Sequence, residues 1–133
     1  MKRNVLRITL ALTLALTMVI ASFSAVSAAR NPAYIRLSGH PVAGDLEYFV
    51  GCRNADSAVG SYGVGYYDVT NSEYLTDVVW YNLPAETYSF QSPVILYTEI
   101  TTPGKYAINL FFRSQADGYG QTLAFKTKMF KIR

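Results

Sequence analysis

Cysteine and histidine are nearly missing from this 133-residue chain: Cys52 and His40 stand alone. A single cysteine excludes an intramolecular disulfide and leaves either a buried inert thiol or a bridge to another chain. A single histidine leaves Cys52 and His40 as the one conceivable nucleophile and base couple. Cys52, however, alternates with Leu46, Tyr48 and Val50, apolar surroundings in which a thiol is unreactive. There is no Ser nucleophile elbow and no zinc-ligand spacing. Gly63-Val64-Gly65 opens no helix, so it is no phosphate loop. The expectation is a protein that is not an enzyme, with no catalytic residues, no metal and no cofactor.

Long apolar runs are also lacking, except at the start. MKRNVLR is followed by Ile8 to Phe23 without a charge and then by SAVSAA, the pattern of a secretory signal peptide. Cleavage after Ala28 and cleavage after Ala29 both fit. The run is short for a span of about 20 residues. The expected division is therefore a signal peptide over 1–29 and one all-β domain over 30–133. No stable membrane span or covalent anchor is expected after cleavage, which places the product outside the cell or at its surface.

Net charge disappears with the leader. Lys2, Arg3 and Arg7 account for the excess of twelve basic over nine acidic residues, so Arg30 to Arg133 is balanced. The basic character belongs to export, and no nucleic-acid partner is expected. The remaining charge is segregated. Eight of the acids lie between Asp45 and Glu99, whereas Lys105, Arg113, Lys126, Lys128, Lys131 and Arg133 follow Ile100 against Asp117 alone.

What is abundant is tyrosine: all eleven follow the leader, with Trp80 and six of the seven phenylalanines. Helical periodicity is nowhere sustained, and strand formers alternate with Gly, Pro, Asn and Asp clusters. Seven strands are expected, near Ala33–Ser38, Leu46–Arg53, Tyr62–Thr70, Tyr74–Leu83, Val94–Ile100, Lys105–Arg113 and Gln121–Lys131. Asn71-Ser72-Glu73 reads as a tight hairpin and Asp117-Gly118 as a turn that tolerates positive φ. Pro93 reads as a strand start, since it lacks the N–H of a central ladder. At the end of the last strand a bulge near Met129 would reconcile Phe130 and Ile132 with Lys126 and Lys128.

In Lys105–Arg113, Tyr106, Ile108, Leu110 and Phe112 share one face, the expected core face. Thr102-Pro103-Gly104 followed by Tyr106 resembles the tyrosine corner of immunoglobulin-like sandwiches, in which a Tyr hydroxyl returns to upstream backbone. Cys52 stands where the first cysteine of an antibody-type domain would, but Ile108 occupies the place of the second, and the third strand has no Trp. The layout resembles the broad bacterial extracellular immunoglobulin-like class. That resemblance implies a seven-stranded antiparallel sandwich, with the sixth and seventh strands beside the third, so that Arg113, Lys126 and Lys128 share an outer surface with Asp68 and Asp77.

Carboxylates and aromatics supply the candidate sites. Asp45, Glu47, Asp68 and Asp77 could serve a glycosidase or calcium, but a glycosidase needs a buried acid and calcium needs six to eight converging oxygens. Solvated carboxylates are the simpler reading. If Asp68 and Asp77 both face water, Trp80 turns inward over Gly63 and Gly65. Tyr62, Tyr66, Asp68, Asp77 and Tyr81 then form an outer face suited to ligand binding. Rings beside carboxylates suit a glycan, and tyrosines suit a protein interface; cross-strand packing is the simpler reading of the same rings. The expectation is a small secreted binding module for an extracellular protein or glycan. The alternative is a secreted effector such as a bacteriocin, toxin or protease inhibitor, displaying His40-Pro41 or Ser114–Gly120; a small hydrolase is a third reading.

Overall fold

The computed structural model describes residues 31–133; the expected signal peptide and its expected cleavage site lie outside the described residues. Among the described residues there are nine strands: β1 Ala33–Leu37, β2 Leu46–Cys52, β3 Ser61–Asp68, β4 Glu73–Tyr74, β5 Val79–Asn82, β6 Phe90–Gln91, β7 Ile95–Tyr97, β8 Gly104–Arg113 and β9 Thr122–Ile132. A single 3₁₀ turn, Ala116–Gly118, sits between the last two. None of the described segments is a helix long and apolar enough to cross a membrane.

All pairings are antiparallel. β1 pairs β2, and β2 pairs both β6 and β7; in the second sheet β4 and β5 both pair one edge of β3, and β8 and β9 follow on its other side. The sheets meet through inner faces in an arrangement compatible with a β-sandwich. Alternation drives this packing: Leu46, Tyr48, Val50 and Cys52 of β2 are buried, and so are Tyr106, Ile108, Leu110 and Phe112 of β8. Burying one such side chain stabilises by about 1.5–3 kcal/mol.

Two expected strands are broken. Tyr74–Leu83 divides into β4 and β5, because the chain leaves the ladder after Leu75, whose N–H donates to Tyr66 O. Val94–Ile100 shrinks to β7, and β6 precedes it on the same neighbour. Pro93 lies in the gap between them, where Ser92 bridges the interruption: Val50 N–H donates to Ser92 Oγ at 3.0 Å, and Ser92 N–H donates to Val50 O.

The expected bulge near Met129 is absent. β8 and β9 run in unbroken register from Gly104 opposite Ile132 to Phe112 opposite Ala124, and the slip falls between Phe112 and Arg113. Lys126 and Lys128 therefore keep the inward register of Phe130 and Ile132, yet are exposed. β9 is an edge strand, where a long alkyl stem lets the ammonium reach water from an inward position. Inward charges of this kind also discourage edge-to-edge pairing with other chains.

Candidate functional site

The expected outer face does not form: Tyr62, Tyr66, Asp68 and Tyr81 share the inward register of β3 and β5, and Asp77 lies between strands. Tyr62 and Tyr66 are each 6% exposed and point into the core with Val64. Tyr66 O–H and Tyr48 O–H share a hydrogen bond of 2.5 Å, and the Tyr66 ring stacks on Tyr97 at 3.7 Å. Tyr62 lies against Tyr81, Phe90 and Phe112, with centroids 5.0, 5.0 and 6.2 Å away. Burial pushes the Tyr66 hydroxyl up to about 12 and raises Tyr48 and Tyr62 as well. These tyrosines are inter-sheet packing.

Asp68 shares their inward register and is buried, contrary to the premise that its charge would face water. It is the last residue of β3, and its carboxylate is satisfied locally: Asn71 N–H donates to Oδ1 at 3.0 Å and Asn71 Nδ2 to Oδ2 at 2.8 Å. Those bonds, the backbone one foremost, hold Asp68 below the usual carboxylate range. Asp77 is exposed but lies in the gap between β4 and β5, so it says nothing about which way Trp80 points. Tyr81 is 41% exposed at the rim, stacked on Tyr62. The five residues do not form one surface, and Lys126 and Lys128 do not join Arg113 on the outer face.

Trp80 lies on that outer face. It is opposite Gly63, as is Phe111 on the other side of β3. The indole spreads across the glycine: a Cβ at Gly63 would come within 2.7 Å of it and 2.6 Å of Val78. The expected glycine berth for the indole is therefore present, but outside the sheet. Trp80 and Phe111 are 6.3 Å apart, Phe111 and Phe125 5.0 Å, so a row of rings crosses from β5 over β3 and β8 to β9. Tyr67 and Tyr74 pack edge to face beside it at 4.9 Å, and Met129 is 57% exposed. The Arg113 guanidinium carbon stands 5.7 Å from the indole.

The loop after β8 holds this row at one end. Ser61 O–H donates to Gln115 O at 2.6 Å and accepts from Gly118 N–H at 3.0 Å, while Asn82 and Asp117 exchange two bonds of 2.9 and 2.7 Å. Asp117 and Gly118 have φ of 57° and 78°. Gly118 sits against the indole edge with no room for a side chain. On the strands, the charged residues of this face are Lys105, Arg113 and Lys131, all cationic.

Other candidates are separated. Cys52 is buried, its Sγ 3.8 Å from Tyr88 O, and burial raises its thiol. His40 follows the opposite end of the β1–β2 ladder, beyond the Leu37–Tyr48 pair. Four residues of strand, about 13 Å, separate Tyr48 from Cys52, so no dyad forms. His40, Pro41, Asp45 and Glu47 line only a shallow surface depression. Among the described residues no three His, Cys, Asp or Glu side chains converge as metal ligands.

No protein-family model matches the chain. No curated protein matches it either.

The sequence reading missed Trp80, Phe111 and Phe125 as a surface. The available signal was bulk: Gly63 and Gly65 cannot fill a core, whereas Tyr62, Val64 and Tyr66 can.

Proposed function

We propose that the exported chain is an immunoglobulin-like sandwich acting as a non-catalytic binding module, and that the outer face of the β3–β8–β9 sheet takes an extracellular protein. The fold reading is supported by the strand order and by Tyr106 O–H, which donates to Thr102 O at 2.6 Å as a tyrosine corner does. The functional reading is carried by one observation: the single Trp and two Phe form a half-exposed row outside, while tyrosines fill the core. Aromatic rings, Met and Arg are the residue types enriched at protein interfaces. An exposed aromatic patch without such use is an aggregation liability. The cationic Lys105, Arg113 and Lys131 favour a partner with an acidic rim.

The test is affinity capture from extracellular fractions, comparing wild type with Phe111→Ala/Met129→Ala. Loss of a specific protein by a variant that still folds supports the reading. Equal capture by both forms, or a glycan as the ligand lost on mutation, overturns the choice of partner.

A further inference from the structure

The opposite sheet carries a second constellation. Tyr34 lies on the outer face of β1, opposite Gly51 of β2. Its ring spreads over that glycine so closely that a Cβ there would overlap both the hydroxyl and the ring. Tyr34 O–H donates to Gln91 Oε1 at 3.1 Å, which fixes the ring flat across β2 toward β6. Two guanidiniums attend it. Arg36, two residues along β1, has its Cζ 5.5 Å from the ring centroid, and Arg53 has its Cζ 5.2 Å away. The two cations are thus no farther apart than the sum of these distances. Arg53 is placed by its N–H, which donates to Pro32 O and extends the ladder past the end of β2.

Each guanidinium is attracted to the ring, but the pair repel one another, and among the described residues neither is paired with a carboxylate. The acid on this face of β2 is Glu47, opposite Leu96 and beyond Arg36 along the ladder. Both arginines are exposed, so the unmatched charge is open to a ligand. We propose that Tyr34, Arg36 and Arg53 form a binding site for an acidic saccharide. The guanidinium forks take its carboxylate or sulfate oxygens, and the Tyr34 hydroxyl oxygen, whose proton goes to Gln91, accepts from a sugar hydroxyl beside them. The site is independent of the aromatic row, which lies on the other sheet.

The experiment is calorimetric titration of the purified protein with three oligosaccharides of equal length: a polyuronate, a sulfated form and a neutral form. Binding of either acidic form, with affinity lowered at least tenfold in Arg36→Gln and in Arg53→Gln and no binding of the neutral form, is the expected result. The acidic form preferred identifies carboxylate or sulfate as the source of the oxyanion. Arg53→Lys retains the charge and loses the fork, so it is expected to lie between Arg53→Gln and wild type. Lys126→Gln/Lys128→Gln is the control for general polyanion attraction. Equal weakening in that control, equal binding of the neutral form, or no binding of the acidic forms overturns the proposal.

Discussion

The two faces of the five-stranded sheet are both rich in aromatic rings, yet they hold them for opposite reasons. Inside, Tyr62, Tyr66 and Tyr106 are buried, and the last two have hydroxyl partners in Tyr48 and Thr102. Outside, Trp80 lies over Gly63 in a row with Phe111 and Phe125, and all three remain partly open to water. Polarity alone predicts the reverse arrangement. A tyrosine is accommodated in a core when its hydroxyl is bonded, whereas apolar rings left partly open to water gain less from folding. Hydroxyl partners therefore separate the two faces better than hydropathy does.

The strongest way to break this comparison is Tyr66→Ala. A buried aromatic truncated to Ala costs about 3–5 kcal/mol, and it would strand the Tyr48 hydroxyl. A midpoint in urea close to wild type would put Tyr66 at the surface. The alkaline limb offers a second reading of the same residue. Its folded hydroxyl titrates at about 12, whereas an unfolded tyrosine titrates near 10. The contribution of Tyr66 is thus complete below about 10 and is lost as pH rises toward 12. Urea midpoints at pH about 9 and about 11 should fall with pH in wild type and less steeply in Tyr66→Phe.

The inner faces of β2 and β8 were legible because each rests on four alternating residues in the middle of a strand. The corner bond was legible because Thr102 and Tyr106 are close in sequence. The orientation of β3 and β5 was not, because it hung on Asp68 and Asp77. One ends a strand where Asn71 can bond it, and the other lies between strands. Charges at such positions reach water or local donors without marking the solvent face. The aromatic row depends on Gly63 standing opposite both Trp80 and Phe111, a pairing of distant segments that no local pattern encodes. Tyr34 over Gly51 is legible only from register for the same reason.

Gly63→Ala sharpens the outer half of the comparison. The added methyl meets Trp80 and Val78 at distances real side chains do not tolerate, so the indole must lift from the sheet. Such overpacking costs about 1–3 kcal/mol. With Trp80 the sole tryptophan, its emission should shift to longer wavelength as the indole gains water. Unchanged emission would mean that the indole does not rest on Gly63. The effect should be smaller than that of Tyr66→Ala, because the core behind the sheet stays filled.

Tyr106→Phe removes one hydroxyl and leaves the ring on Phe130, 5.9 Å away. A buried hydrogen bond contributes about 0.5–1.5 kcal/mol, so the unfolding free energy should fall by that amount and the urea midpoint with it. An unchanged midpoint would show that the bond to Thr102 O does not stabilise the corner.

The smallest effect belongs to Asp68, the charged residue on the inner register of β3. Hydrogen bonds from Asn71 depress its folded value below that of an unfolded Asp. Its contribution is therefore present above the ordinary carboxylate value near 4 and is lost as pH falls through the lower folded value. Asn71→Ala removes the side-chain donor but keeps the backbone N–H, so the Asp68 carboxyl should titrate closer to its ordinary value without reaching it. An NMR titration of that carboxyl reads the shift directly. If the variant titrates as wild type does, the backbone bond alone sets the value, and the Asn71 side chain has no part in holding a charge at the inner rim.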